Sequence, residues 1–301
     1  MDKNCKGCED RKKNCTESSC CKLKLDADKR IARCVGHWSE DKLFYMRRYA
    51  GIFANGMKNK WENRVYVDLF SGPGRSRVRP DGRFVDGSPL AALQLPFTHY
   101  YFCDLAADCT AALQDRIRDR AETVRGKIIE VLTGDSSQRV REINESIRAL
   151  GPKTLALAFV DPPALQAPLS VLRELTGNIN VDLLINCPIG MNMKRQYKHQ
   201  LAAETQDSDL DAYYGGPSWR TLPGVAQGVR VGAAFLDHYK EKLRNELGYV
   251  YVGDTETVKH HGKNTALYVL ILASRHPKGE EFWAKVTTQE PSGQRRLALD
   301  P

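Results

Sequence analysis

No run of 18 or more apolar residues occurs in the 301-residue chain, so no helix able to span a membrane is expected. The opening residues, MDKNCKGCEDRKK, contain no apolar block of the kind a secretory leader needs. The expected compartment is therefore the cytoplasm. Internal repeats and low-complexity tracts are absent too, which excludes a repeat array. Cysteine is scarce over most of the length: beyond residue 34 only Cys103, Cys109 and Cys187 occur. The other six cysteines crowd the start, where large apolar side chains are almost missing. Residues 1–33 therefore cannot bury a core of their own.

That crowding has a chemistry. In a reducing compartment, clustered cysteines indicate metal binding before disulfides. Cys5, Cys8, Cys15, Cys20 and Cys21 follow the spacing C-x2-C-x6-C-x4-C-C. Four thiolates suit tetrahedral zinc, and an iron–sulfur cluster uses the same ligand type. Cys5, Cys8, Cys15 and one of Cys20 or Cys21 form the favoured set. Cys5 and Cys8 with Cys34 and His37 form the rival.

Apolar residues make up 42% of the chain, enough for a sizeable core. The net charge of +8 and pI near 9.0 favour acidic partners, nucleic acid foremost. From Trp38 onward apolar residues recur at helical spacing, predicting a helix over 40–56 with Ser39 as its cap. Strands and helices then alternate. Strands are expected at 65–70, 99–103, 127–132, 154–160 and 181–186. Residues 71–87 are expected to be a long polar loop, and residues 190–228 a lid or substrate insertion. A helix at 230–247 and two final strands, YVYVGDTETV and ALYVLILAS, complete the pattern. Continuous apolar strands separated by helices indicate a parallel sheet covered on both faces. The expected fold is α/β and doubly wound, with a mostly parallel seven-stranded sheet, one strand reversed, and a Cys-rich extension over residues 1–34.

In such sheets ligands sit beyond the C-terminal strand ends. Asp68, Asp104, Asp135 and Asp161 each follow one of four consecutive strands, and Asn186 follows the fifth. Singly, each such Asp is more often a helix cap; four in succession indicate a site. The loop SGPGR after Asp68 lacks the Gly-Lys-Ser/Thr of a phosphate-binding loop and is not G-x-G-x-x-G. A carboxylate beside it would also repel a pyrophosphate. A ligand with positive centres and free hydroxyls fits better, and S-adenosylmethionine has a sulfonium, an ammonium and a ribose diol. Asp68 and the backbone of Gly72 and Gly74 would face its methionine end, with Phe70, Ser71, Ser88 and Lys42 around them. Asp104 would accept from the ribose, and Asp135 with Ser136 would contact the adenine.

YVDLFSGPGR resembles motif I of class I methyltransferases, and FCD, TGDSS and FVDPP resemble the next three motifs in order. More narrowly, VGHWSEDKLFYMRRY, GSPLAAL, YYGGPSWR and ALYVLILASRHPKGEEFW resemble the three-Cys-motif partner family over about residues 35–285. That resemblance implies a Rossmann-like methyltransferase domain over 35–301 and a cysteine-motif protein of radical-enzyme type as partner. It implies no substrate. Asp161-Pro162-Pro163 resembles the Asp-Pro-Pro-aromatic signature of enzymes that methylate exocyclic amines of bases, with Ala164 where the aromatic would stand. Asp161 is the expected acceptor-facing residue, since methyl transfer mainly needs donor and acceptor held in line. Arg75, Arg77, Arg79 and Arg83 lie beside the presumed site and suggest phosphate contacts, extended by Lys194, Arg195 and Lys198. Two functions follow. One is an S-adenosylmethionine-dependent methyltransferase acting on nucleic acid or a partner-bound substrate. The other is a catalytically silent partner that keeps the fold.

Overall fold

The computed structural model describes residues 23–79, 81–202, 208–255, 258–259 and 266–291. A hairpin of Leu23–Leu25 (β1) and Ile31–Gly36 (β2) leads into the helix Trp38–Gly56 (α1). Leu43, Met46, Ala50 and Phe53 form the buried stripe of α1, at the spacing the sequence shows. Ser39 is not the cap. It lies inside the helix and is buried, and the preceding His37 makes no side-chain capping bond.

Next come Asn63–Asp68 (β3), Arg75–Arg79 (β4), Phe84–Asp86 (β5), Ser88–Ala92 (α2) and His99–Asp104 (β6). Ala107–Arg118 (α3), Ala121–Val124 (α4), Ile128–Thr133 (β7) and Ser136–Ala149 (α5) follow. Thr154–Val160 (β8), Leu169–Thr176 (α6) and Val181–Cys187 (β9) complete the parallel strands. The chain ends through Lys194–Ala202 (α7), Asp209–Tyr214 (α8), Pro223–Ala226 (α9), Val231–Asn245 (α10), Tyr251–Asp254 (β10), Val258–Lys259 (β11), Ala266–Ser274 (β12) and Pro277–Thr287 (α11).

The main sheet runs β7-β6-β3-β8-β9-β12-β10, with short β11 added to β12. β12 is antiparallel to both neighbours, and the other pairings are parallel. One reversed strand in a seven-strand order is the expected sheet. Its inner strands β8 and β9 are buried almost along their whole length because both faces are covered. Val65 and Val67 point to the side packed by α5, through Val140, Ile143 and Ile147. Tyr66 between them points to the side packed by Tyr49 and Phe53 of α1, as the two-residue period of a strand dictates. The chain leaves β3 toward β6 and β7, then returns to β8 on its other side. That reversal sets a crevice at the C-terminal end of β3.

Two expectations need correction. Residues 71–87 are not one loop, because β4 and β5 join β1 and β2 in a second sheet of order β1-β2-β4-β5. The boundary expected after residue 34 also falls inside β2, which pairs Arg33 with Ser76 and Gly36 with Arg79. Ala32 and Val78 are the fully buried apolar residues of this small sheet, and ion pairs tie it to the main one. Arg116 of α3 is 1% exposed. Its guanidinium donates to Asp28 at 2.7 and 2.9 Å, to the Ile31 carbonyl at 2.8 Å and to the Pro73 carbonyl at 2.6 Å. Arg75 pairs with buried Asp26 at 2.7 Å. The polar hairpin is thus tied to the glycine loop by one buried cation.

The described part of 190–228 is packed structure. It buries Leu210, Tyr213, Tyr214, Trp219 and Val225 in the main core. Burial alone would raise the Asp211 carboxyl. Bonds from Arg220, Ser208 and the Trp219 indole outweigh it and hold the group well below the usual carboxylate range. This anchors the 3-10 turn at Pro217–Thr221 to α8.

Candidate cofactor site at the C-terminal edge of the sheet

β3 delivers Asp68 to the sheet edge fully buried. One carboxylate oxygen accepts from the Phe70 N–H at 3.2 Å, and Oδ2 has no hydrogen-bond partner among the described residues. Burial pushes this carboxyl up to about 7, only partly offset by the nearby Ser88 hydroxyl and the Phe70 N–H. The charges of Asp161 and Asp104 push the same way.

Two positions of the turn that follows require glycine. Gly72 and Gly74 have φ of +61° and +85°, a region that glycine occupies without strain. A Cβ on Gly74 would also stand 2.9 Å from Leu113 and 3.1 Å from Leu90. The Ser71 N–H donates to the Cys103 carbonyl at 2.9 Å, and the Gly72 N–H to Asp104 Oδ2 at 2.8 Å. The loop is therefore sewn to the end of β6, with bare backbone beside a buried acid.

Asp104 is 6% exposed. Besides Gly72 it accepts from the Ala106 N–H at 3.0 Å and from Arg33 Nη2 at 3.2 Å. Asp135 caps α5, accepting from the Ser137 N–H at 2.8 Å. The Ser137 side chain and N–H together hold its carboxyl below the usual range. Ser136 is buried behind it, and neither residue lines the cleft.

Asp161 ends the set. Its Oδ1 accepts from Asn186 Nδ2 at 2.7 Å, and its Oδ2 pairs with Lys42 Nζ at 2.5 Å. Asp161, Asn186 and Lys42 open on a cleft of about 250 Å³, whose lining includes neither Asp68 nor Asp104. Phe70, Ser71, Gly72, Gly74 and Ser88 line one side of it, and Asp161, Pro162, Pro163 and Asn186 another. Trp38 and Lys42 of α1 also face it, as do Arg33 and Cys34 of β2 and Tyr268 of β12.

Sequence reasoning missed Arg33, Tyr268 and the part played by Asn186. Asn186 carried a signal, because it ends the fifth strand as the acids end the other four. Arg33 and Tyr268 carried none, because only the sheet pairings bring β2 and β12 to this edge.

The arginines expected to meet phosphates are engaged within the protein. Arg75 pairs with Asp26, and Arg83 with Glu40 and Asp81. Arg79 Nε lies 3.5 Å from the Val35 carbonyl, and Arg77 also has interactions of its own. Lys198 is exposed on α7, while the side chains of Lys194 and Arg195 lie outside the described residues. So do Cys5, Cys8, Cys15, Cys20 and Cys21. Among the described residues no group of three His, Cys, Asp or Glu could hold a metal ion. No described helix is long and apolar enough to cross a membrane.

No family model matches the chain, and no curated protein matches it in sequence. Solved structures do match in shape. Protein LPL1258 from Legionella pneumophila is 11% identical, with 83% of this chain and 92% of that one covered and a TM-score of 0.50. Spermidine synthase from Thermotoga maritima is 8% identical over 86% and 70% of the two chains, with a TM-score of 0.44. Trm1 from Pyrococcus horikoshii, solved with S-adenosyl-L-methionine, is 10% identical over 80% and 58%, with a TM-score of 0.36. The mostly parallel seven-strand order with one reversed strand is a Rossmann-like α/β fold, shared with LPL1258.

Proposed function

We propose that this chain is an S-adenosylmethionine-dependent methyltransferase whose cofactor lies in the cleft after β3. The observation that carries the reading is buried Asp68, with an unpartnered oxygen, beside a turn where a Cβ at Gly74 would meet Leu113 and Leu90. A buried acceptor without a partner calls for an explanation, and a cationic ligand supplies one. Asp68 and the glycine backbone would hold the methionine end, and Asp104 the ribose. When bound, the cofactor supplies an electrophilic methyl group. The protein's part is to align the acceptor and exclude water.

The Asp68 carboxyl, raised to about 7, gives this reading a pH test. Below that value the group is largely neutral and offers a cation little. Above it the carboxylate is charged. Affinity for S-adenosylmethionine should therefore rise with pH, by up to about tenfold per unit below pH 7, and level off above it. Calorimetry at pH 6, 7 and 8 measures this, and Asp68→Asn should flatten the profile. A flat profile in the unaltered protein would reject Asp68 as the cofactor's counter-charge. The stability of the ligand-free protein runs the other way. The raised carboxyl contributes fully below its ordinary 3.8, and that contribution is lost as pH rises through about 7.

The motif resemblance supports membership of the three-Cys-motif partner family and docking to a cysteine-motif protein, and the cysteine spacing supports a zinc or iron–sulfur site in the first 21 residues. Net charge of +8 supports nucleic acid as the acceptor. One observation favours the silent-partner reading. Arg33 reaches from β2 onto Asp104, the carboxylate that a ribose would need. Cofactor binding is compatible with both readings, and methyl transfer by the unaltered chain separates them.

A further inference from the structure

We infer that the chain binds an apolar monocarboxylic acid in a second cavity, at the opposite end of the main sheet from the first. Leu155 and Val181, at the starts of β8 and β9, line it. Asp161 and Asn186 come several residues further along the same strands, roughly 16–20 Å away at about 3.3 Å per residue. The cavity measures about 540 Å³, a volume typical of small-molecule sites. Phe53 and Met57 of α1, Trp61 beyond it and Phe282 of α11 give it apolar walls. No residue is shared with the lining of the first cleft, so the inference stands apart from the cofactor reading.

The charges around the cavity set the sign of its ligand. Asp182 is the only acid in the lining. It is 8% exposed and already accepts from the Tyr49 hydroxyl at 2.8 Å. Burial pushes its carboxyl up to about 6, against bonds from Ser274 and Tyr49 and the charge of Arg275. Arg275 is thus set against Asp182, and its guanidinium also donates to the carbonyls of Ile179 and Leu247. Lys278 pairs with Glu281. Lys60 is exposed and has no ion pair among the described residues, so it remains the uncompensated cation. His276 adds a donor. Its Nδ1 accepts from the Lys278 N–H at 3.1 Å, so the neutral ring carries its proton on Nε2.

One free cation and a second donor describe the partner. A carboxylate carries one negative charge on two oxygens, so it can accept from Lys60 Nζ and His276 Nε2 together. A doubly charged phosphate would outweigh the single cation, and a neutral ligand would leave the ammonium to water. The hydrocarbon body then lies inward on Phe53, Met57 and Phe282, where burial of apolar area supplies most of the affinity. Asp182, buried at the start of β9, repels an anion and keeps the charged end at the mouth.

Three probes of one shape test this on the full chain by calorimetry: 2-naphthoate, the uncharged 2-naphthylmethanol and the cationic 2-naphthylmethylamine. The acid should bind saturably at one site per chain, at least about fivefold more tightly than the alcohol, the worth of one exposed charge pair. Lys60→Glu should abolish that preference while holding the alcohol's affinity within about twofold. Met57→Trp fills the cavity from a half-buried position and should weaken acid and alcohol alike, by about tenfold or more. Saturating S-adenosylmethionine should leave 2-naphthoate binding unchanged. Displacement by S-adenosylmethionine would put the acid in the first cleft and overturn the inference. Tighter binding of the amine would show that Asp182 selects the ligand, which overturns it too. So would 2-naphthoate that fails to bind at millimolar concentration, or that binds Met57→Trp as well as the unaltered chain.

Discussion

Arg116→Ala is expected to lower the stability of the chain by about 3–5 kcal/mol, a fall in Tm on the order of 10 °C. The guanidinium is 1% exposed and bonded to Asp28 and to the carbonyls of Ile31 and Pro73. Its removal takes a donor from the Ile31 and Pro73 carbonyls and leaves Asp28 only its contacts with Arg30, so the cost exceeds that of the bonds themselves. Adding Asp28→Ala should recover part of the loss, because one of the stranded groups disappears with it. Thermal unfolding of the two variants measures both effects. Because Arg116 bridges the β1–β2 hairpin and the glycine loop, Arg116→Ala should also weaken cofactor binding. A Tm shift of about 1 °C or less would show that the hairpin is held by something else.

Asp104→Asn is expected to weaken S-adenosylmethionine binding by at least about tenfold, or ~1.4 kcal/mol. A charged acceptor makes hydrogen bonds worth about 1.5–3 kcal/mol each, and the amide keeps one acceptor while losing the charge. The substitution also weakens the pairing with Arg33 at 3.2 Å. That change works in the opposite direction, since Arg33 competes with a ribose for the same oxygen. A net loss of affinity therefore requires that the ribose bonds outweigh the arginine. Unchanged or tighter binding in calorimetry would show that Arg33, and not a ribose, is the natural partner of Asp104.

The main sheet was legible because its strands obey simple rules. Continuous apolar runs such as TLALAFV at 154–160 can only be buried on both faces, and the acids after them fall where chain direction puts them. The glycine loop was legible for the same reason, since SGPG offers no side chain larger than proline. The second sheet was not. RSRVR at 75–79 has a single buried apolar residue, Val78, and its arginines look like solvated surface until their partners are placed. Those partners lie far away in sequence. Asp26 is close to Arg75 only because β2 pairs with β4, and Arg33 reaches Asp104 across 71 positions. Polar strands held by long-range ion pairs leave no local period to read.

The site was legible as a set of strand ends and less so as a set of roles. Of the acids after β3, β6 and β8, Asp161 lines the crevice, while Asp68 is fully buried and Asp104 is bonded to the Gly72 N–H of the glycine loop. Asp135 is instead spent on capping α5, the common use of an Asp at that position. Its place in the adenine pocket was expected from order along the chain, which cannot tell a ligand contact from a cap. Lys42 shows the converse. Its pairing with Asp161 needs the helix before β3 to fold back over β8, and sequence does not give that crossing.

The central claim is that the cleft after β3 is a cofactor site, and titrating the full-length protein with S-adenosylmethionine in a calorimeter at pH 8 tests it most directly. At that pH the Asp68 carboxyl, raised to about 7, is mostly charged. Saturable binding with one site per chain is expected, tighter at pH 8 than at pH 6. An absence of measurable heat for both S-adenosylmethionine and S-adenosylhomocysteine, together with no rise in Tm at millimolar ligand, would contradict it.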